Sequence, residues 1–154
     1  MSTDDEVCYE WRGDVDSHDL NDLHAEAFGH PPLDSDWKGR LANHSLGWVC
    51  ARRGAKLLGF VNVIWDGGEH AFLLDTVVAP LARHQGIGTQ LVQRAVDATR
   101  TAGCTWLHVD FKSNLTRFYL DTCGFRTTAA GVISLSEAMQ LFPDGTARTL
   151  RDRS

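Results

Sequence analysis

The sequence lacks the features that would assign it to several specialised classes of protein. No apolar run is long enough to span a bilayer, and the first seven residues are acidic and polar, unlike a secretory signal peptide. Positive charge is not in excess, since the formal net charge is -5, which argues against duplex DNA or an anionic membrane as the main partner. We therefore expect a cytoplasmic protein that binds neither nucleic acid nor membrane.

Paired metal-ligand and redox motifs are also missing. The four cysteines are Cys8, Cys50, Cys104 and Cys123, and none is paired at short spacing, so no zinc ribbon or Cys-x-x-Cys site is visible. Three of them lie in apolar stretches, where reduced thiols pack as small core residues. The seven histidines include no His-Glu-x-x-His motif. We expect no metal site.

The composition is that of one ordinary globular domain. The chain has 154 residues, of which 43% are hydrophobic and 23% are charged, enough to bury a sizeable core. Periodicity and turn residues predict strands at residues 7–11, 46–52, 56–65, 72–78 and 105–110, helices at 17–28, from 37 and from 87, a short helix at 115–122, and a last hairpin at 125–128 and 132–135.

Individual residues refine this prediction. Ser17 is the expected cap of the first helix, and Asp66-Gly67-Gly68 signals a hairpin before residues 72–78. Gly59 inside a strand predicts a bulge or a close backbone approach. The strand at 105–110 follows a right-handed crossover, so it should run parallel to the strand at 72–78.

The start of the long helix is the most informative stretch. Gly86-Ile87-Gly88 opens it without a capping side chain, and its first carboxylate is Asp97, although an acid is usual in a first turn. The helix N–H groups and Arg83 therefore favour a negative charge from outside, as in a phosphate or pyrophosphate site. The simpler alternative is that Gly86 and Gly88 only form a tight turn.

Two familiar phosphate motifs fit this turn poorly. A P-loop needs Lys-Ser/Thr after its second glycine, and here Thr89-Gln90 follows. A Rossmann site would explain the turn and the acid Asp110 at the end of the next strand. However, Leu91 stands where the third glycine belongs, and too little chain follows for a second half-sheet.

A different family carries this pattern. The segment Arg83-His84-Gln85-Gly86-Ile87-Gly88, after Val78-Ala79-Pro80 and before Leu91, resembles the acetyl-CoA-binding motif Arg/Gln-x-x-Gly-x-Gly/Ala of the GNAT acetyltransferases. Downstream, Asn114, Phe118-Tyr119 and Gly124-Phe125 resemble that family's second motif. The resemblance implies an α/β GNAT-like fold: a central mixed, mostly antiparallel sheet, splayed between its fourth and fifth strands and flanked by helices.

The resemblance also implies how the cosubstrate acetyl-CoA is held. Thr76, Val77 and Val78 should pair with the pantetheine arm, and a backbone N–H near Val77 should polarise the thioester carbonyl. Asn114 and Phe118 should flank the cofactor. The residues expected to hold the pyrophosphate are Arg83, Gln85, Gly86, Ile87, Gly88 and Thr89.

Two residues are candidates for proton transfer. Tyr119 matches the tyrosine that protonates the departing thiolate, and the simpler alternative is a core tyrosine. Attack by an amine needs a general base. The alternation of the strand at 72–78 places His70, next to Glu69, on one face with Phe72 and Leu74, so His70 is the best candidate. His108 and Asp110 come next, and water is the remaining alternative. Asp75 lies on the other face of the strand and is interpreted as structural.

We therefore expect a single acetyltransferase domain over residues 1–154, with a polar and partly disordered tail from about residue 136. Its predicted reaction is transfer of acetyl from acetyl-CoA to a primary amine of a small molecule or peptide, by direct attack in a ternary complex. The partners would be acetyl-CoA and the amine, and a homodimer is compatible with this prediction. The alternative function is a non-catalytic module that senses CoA or a nucleotide.

Overall fold

The fold is built around one five-stranded mixed sheet. A computed structural model of the protein describes residues 5–136, 139–141 and 147–149. The elements of the main body are β1 (Val7–Trp11), α1 (Ser17–Phe28), α2 (Trp37–His44), β2 (Ser45–Arg53), β3 (Lys56–Trp65), β4 (His70–Val78), α3 (Ile87–Thr101) and β5 (Trp106–Val109). The strands lie in the order β1-β2-β3-β4-β5. The first four pair antiparallel and β5 pairs parallel with β4, which confirms the predicted α/β architecture.

The sheet opens between β4 and β5. These strands pair only from His70 with Trp106 to Leu73 with Val109, although β4 continues to Val78. On its other side β4 has a bulge, because Phe60 pairs with Val77 and Asn62 pairs with Leu74. Asp75 and Thr76 therefore both lie opposite the single residue Val61. The cleft predicted between the fourth and fifth strands is confirmed, and it begins at this bulge.

The helices cover opposite faces of the sheet. Trp37 of α2 packs edge-on against Phe60, with ring centroids 5.9 Å apart. The neighbouring residue Gly59 points the other way, toward Ile87 and Leu91 of α3. A Cβ at Gly59 would lie 2.9 Å from Leu91 Cδ1 and 3.2 Å from the Val77 carbonyl oxygen. The close approach predicted at Gly59 is therefore confirmed, and it lets α3 lie directly on β3 and β4.

A buried asparagine joins α1 to α2. Asn21 Nδ2 donates to the carbonyls of Ser17 and Ser35, and Asn21 Oδ1 accepts from the Ser35 N–H and from Trp37 Nε1. The predicted cap at Ser17 is wrong, because the side chain of Asp16 accepts the capping bond. The Ser17 hydroxyl instead accepts from the Lys38 N–H at 3.1 Å, so it too ties α1 to α2.

The C-terminal part differs from the prediction. A 3-10 turn (Ser113–Leu115) and a π-helical turn (Arg117–Thr122) replace the helix expected at 115–122. The hairpin expected at 125–128 and 132–135 is wrong, since no strand forms between residues 123 and 134. Val132 and Leu135 are 89% and 91% exposed, so these apolar side chains do not pack against the core.

The C-terminal tail contains two short paired strands. Within the residues expected to be partly disordered, β6 (Met139–Leu141) pairs antiparallel with β7 (Ala147–Thr149). The other positions from 137 onward lie outside the described residues, and the single domain over residues 1–154 stays a prediction. In the described ranges, none of the helices has the length and apolarity needed to cross a membrane.

Two of the cysteines are buried, and all four are reduced. Cys50 and Cys104 are buried, Cys123 is half-buried and Cys8 is exposed, and all four are free thiols. Burial raises the pKa of the Cys50 thiol to about 11, and it also raises the pKa of Cys104 and Cys123. These three thiols therefore stay protonated and poorly reactive near neutral pH.

The substitution Gly59→Val should destabilise the fold. Its side chain would meet two fully buried side chains of α3 and a backbone oxygen, so we expect a loss of about 1–3 kcal/mol in the free energy of unfolding. Urea unfolding would measure this loss. Gly131→Val is the matched control, because nothing lies within 4 Å of a Cβ at Gly131. Equal stability of the two variants would contradict the close packing of α3 on β3.

Candidate active site

The turn before α3 has the geometry expected of an anion site. Gly86 is the N-cap of α3 in the left-handed conformation, with φ 78°, and no side chain caps the helix. A Cβ at Gly86 would meet nothing within 4 Å, so the outer side of the turn is open. The first N–H groups of any α-helix have no acceptor within the helix, and the first turn of α3 contains no acid. An anionic group can therefore approach these N–H groups directly.

Gly88 has a different role from Gly86. A Cβ at Gly88 would lie 3.3 Å from Phe118 Cζ and 3.8 Å from Val78 Cγ2. The missing side chain therefore makes room for the Phe118 ring, which packs between α3 and the end of β4. Asn114, in the adjoining 3-10 turn, is exposed. The two motifs of the sequence are thus brought together at the open edge of the sheet.

The polar side chains of the turn contact their own protein. Arg83 donates from Nε to the Val78 carbonyl at 3.3 Å and from Nη2 to the Ala27 carbonyl at 3.1 Å. Gln85 Oε1 accepts from Arg53 Nη2 at 3.2 Å. Arg53, at the end of β2, is thus a further cation beside the turn that the sequence did not single out. The contacts of Arg83 with phosphate and of Gln85 with phosphate stay predictions.

The outer edge of β4 lies along the cleft. Beyond Leu73 the strand has no partner on the β5 side in the described part of the chain. Val77 is buried, and Thr76 and Val78 are half-buried. Backbone groups along such an edge can pair with an extended molecule. The predicted roles of Thr76, Val77 and Val78 are therefore sterically open, and they stay predictions.

Tyr119 lies in the wall of the same cleft. It is 5% exposed and contacts the rings of Phe111, Phe118 and Phe125, with centroids 4.9, 4.8 and 5.9 Å away. Burial raises the pKa of Tyr119, and hydrogen bonding with the Thr76 side chain acts in the opposite direction. The phenol therefore stays protonated over a wide pH range and sits near the bulge. This suits a proton donor, although the ring also serves the core.

A cluster of two histidines and an aspartate lies on the other face of the bulge. His24 Nε2, on α1, is 3.8 Å from Asp75 Oδ1. His24 Nδ1 is 3.0 Å from His30 Nε2, and His30 Nδ1 is 2.7 Å from the Pro31 carbonyl oxygen. Asp75 has φ 54°, because it occupies the bulge. The face predicted for Asp75 is wrong, since the bulge breaks the alternation and brings its carboxylate beside α1. Its interpretation as structural stays a prediction.

The surroundings of His24 favour its neutral form. Burial lowers the pKa of His24, the Asp75 carboxylate raises it, and His30 and Arg40 lower it further, for a net decrease. The side chain is still 24% exposed. The sequence analysis did not single out His24, which lies on α1 one turn after the buried residue Leu20 and next to Leu23. A histidine on an otherwise apolar helix face was the available signal.

His70 lies farther from the opening. Its Nδ1 is 2.9 Å from His108 Nε2, and the His108 ring stacks on Phe72 with centroids 4.6 Å apart. His70 is three residues before the last paired position, Leu73, which is roughly 10 Å along the strand at about 3.3 Å per residue. The exposed residue Asp110 follows β5. The catalytic role of His70 stays a prediction.

One group of metal-binding side chains occurs in the described ranges. It comprises Asp16, His18 and Asp19, whose ligand atoms lie within 4.8 Å of one another. All three residues are exposed, and Asp16 Oδ1 already accepts the N-cap bond of α1. This cluster lies at the exposed start of α1 and gives no reason to propose a metal. The expectation of no metal site stays a prediction.

Comparison with known proteins gives consistent results. Residues 8–125 match the profile described as "Acetyltransferase (GNAT) family". A curated relative, the mycothiol acetyltransferase of Nocardia farcinica, is 35% identical over 62 residues, which cover 40% of this chain and 20% of that protein. The chain therefore spans about a fifth of the length of that relative.

Solved structures share the fold. An acetyltransferase from Trypanosoma brucei matches with a TM-score of 0.71 at 18% identity, over 84% of this chain and 99% of its own. The N-acetylglutamate synthase of Neisseria gonorrhoeae, complexed with coenzyme A and N-acetyl-glutamate, matches with a TM-score of 0.64 at 20% identity, over 80% of this chain and 29% of its own. At these identities the likeness concerns the fold.

Proposed function

The chain belongs to the GNAT acetyltransferase family, and on that premise we propose that it transfers the acetyl group of acetyl-CoA to a primary amine. The observation that carries this proposal is the open edge of β4, with the uncapped start of α3 at one end and Tyr119 in its wall. The name of the Nocardia farcinica relative and the coenzyme A bound to the Neisseria gonorrhoeae enzyme support it.

The residues present fit acetyl-CoA. The pyrophosphate would lie on the N–H groups of Ile87, Gly88 and Thr89, where the side of the turn at Gly86 is open. Arg83 and Gln85 would turn from their present partners or bind through them, with Arg53 adding positive charge. Asn114 and Phe118 would flank the bound molecule.

The pantetheine arm would follow the unpaired edge of β4. Its amides would pair with the backbone of Thr76, Val77 and Val78, as an added strand does. The thioester would then reach the bulge, where the cleft narrows. There a backbone N–H near Val77 would donate to the carbonyl oxygen as negative charge develops on it.

The reaction removes two protons from the amine and delivers one to the sulfur. The amine, protonated near pH 7, first loses one proton to a base. Its nitrogen lone pair then forms the C–N bond with the carbonyl carbon, and the C–S bond breaks with its electron pair passing to sulfur. The nitrogen then loses a second proton to water, and Tyr119 would give a proton to the sulfur and be reprotonated from solvent. The products are the amide and CoA with a free thiol.

A screen for thiol release tests the activity. Acetyl-CoA would be incubated with polyamines, aminoglycosides, amino acids and short peptides, and free CoA would be measured with a thiol reagent. We expect at least one amine to give continuous release well above the rate without protein. Binding of CoA without release by any amine in the panel would contradict catalysis and favour a module that senses CoA or a nucleotide.

Binding of CoA should depend on the turn before α3. CoA should raise the melting temperature by mass action on the folded state, and Gly86→Glu should abolish this increase because it places bulk and charge at the expected pyrophosphate position. Gly67→Glu is the matched control, since Gly67 also has a positive φ and open space around its Cβ position. An unchanged increase in Gly86→Glu would place the phosphate site elsewhere.

Tyr119→Phe should separate binding from turnover. The aromatic packing is kept and the proton donor is lost, so we expect the CoA-induced increase in melting temperature to remain and kcat to fall by about 10²-fold or more. Tyr9→Phe, which removes the other tyrosine hydroxyl of the chain, should have little effect. A kcat near that of the wild type, measured where chemistry limits the rate, would remove Tyr119 from the mechanism.

A further inference from the structure

We propose that His24 is the general base of the reaction, positioned by Asp75 and His30. The inference rests on the proposed function, since it assigns the group that takes the proton from the amine. Three observations carry it: the place of His24 at the bulge, the hydrogen-bonding chain that fixes its tautomer, and the carboxylate beside its free nitrogen.

His24 lies where the cleft begins. The pairing of β4 with β5 ends at Leu73, and Asp75 is the first residue of the bulge just beyond. His24 Nε2 is 3.8 Å from Asp75 Oδ1, so only the Asp75 side chain separates the imidazole from the backbone of the bulge. It approaches from the face covered by α1 and α2, opposite to the face covered by α3. An amine that enters from the α1 side would therefore meet His24 before it meets the thioester.

The hydrogen bonds determine which nitrogen of His24 is basic. The Pro31 carbonyl can only accept, so His30 Nδ1 must carry the proton in their 2.7 Å contact. In a neutral His30 the other nitrogen, Nε2, is then an acceptor. His24 Nδ1 must consequently donate to it across 3.0 Å. The lone pair of neutral His24 is therefore on Nε2, the nitrogen that faces Asp75.

The charges around His24 suit a base. The groups that face it are Asp75 from β4, His30 from the segment after α1, and Arg40 from α2. Arg40 is held over the Trp37 ring, with Cζ 4.3 Å from its centroid. Burial, His30 and Arg40 keep His24 neutral before the reaction, and Asp75 stabilises the imidazolium once it forms. Burial is the largest of these effects, so the pKa of His24 is lowered overall.

The proton has a defined path. The ammonium of the acceptor gives one proton to His24 Nε2, and the nitrogen lone pair that remains attacks the thioester carbonyl. Once the amide has left, the imidazolium of His24 returns the Nε2 proton to water, since its side chain is 24% exposed. The Nδ1–H tautomer held by His30 is thereby restored for the next turnover. No oxidant or second cofactor is required.

A nuclear magnetic resonance experiment tests the tautomer without any substrate. Long-range ¹H–¹⁵N correlation spectra of the wild-type protein should show His24 as the Nδ1–H tautomer, titrating below the ordinary histidine pKa. Asp75→Asn removes the carboxylate that favours the charged form, so the pKa of His24 should fall further. Arg40→Gln removes an opposing charge, so it should rise. An Nε2–H tautomer in the wild type, or no shift in either variant, would overturn the inference.

Kinetics test the role in catalysis. The kinetics would use acetyl-CoA and the acceptor that reacts fastest in the thiol-release screen. With these substrates His24→Gln should lower kcat/KM at pH 7 by about 10²-fold or more. It should also remove the acidic limb of the pH profile, which is the decrease of kcat/KM at low pH caused by protonation of the base. The CoA-induced increase in melting temperature should remain. His18→Gln, an exposed histidine on the same helix, is the matched control and should keep the wild-type profile.

The outcomes separate this inference from the proposed function. If the wild type neither binds CoA nor releases thiol, the proposed function itself fails. If the wild type is active and His24→Gln keeps its pH profile, only the assignment of His24 fails. Loss of the acidic limb in His70→Gln together with its retention in His24→Gln would likewise overturn the inference and support His70 as the base.

Discussion

The bulge in β4 is the constraint on which the site depends. Asp75 adopts φ 54°, a conformation that aspartate tolerates better than most residues, and with Thr76 it faces a single residue of β3. The extra residue ends the regular alternation of the strand. As a result Asp75 reaches α1 on one face, and the edge beyond Leu73 separates from β5. One local change of backbone thus creates the cleft and supplies one of its charged groups.

Two independent supports hold the two sides of this cleft. On the α1 side, the polar side-chain atoms of Asn21 are hydrogen-bonded between the first two helices, and one of these bonds holds the Trp37 ring in place. The centroid of that ring is 5.7 Å from the centroid of the His24 ring. On the α3 side, Gly59 allows the helix to lie against β3, so the turn at Gly86 stays close to the end of β4. The expected sites for proton removal and for phosphate binding are therefore held by different parts of the core.

Features that depend on residues close together in the sequence could be predicted, whereas contacts between distant segments could not. The order of strands and helices, the turn at Gly86 and the packing at Gly59 have local signals, since each depends on periodicity or on the absence of a side chain. The contact of His24 with Asp75 could not be predicted, because it joins distant segments and needs a bulge that disrupts the alternation. The hairpin expected at residues 125–128 and 132–135 failed for the opposite reason, since a short apolar run forms a strand only where it can pack against the core, and Val132 and Leu135 are almost fully exposed.

The π-helical turn at Arg117–Thr122 restricts where residues can be inserted or deleted. A π-helical turn holds one residue more than an α-helical turn, and here the Cys123 N–H reaches back to the Phe118 carbonyl at 2.9 Å. Deletion of one residue would let the segment close into an α-helix and would rotate Tyr119 away from Phe111 and Thr76. Insertions and deletions in related chains should therefore avoid this turn and collect in the exposed stretch at 126–133.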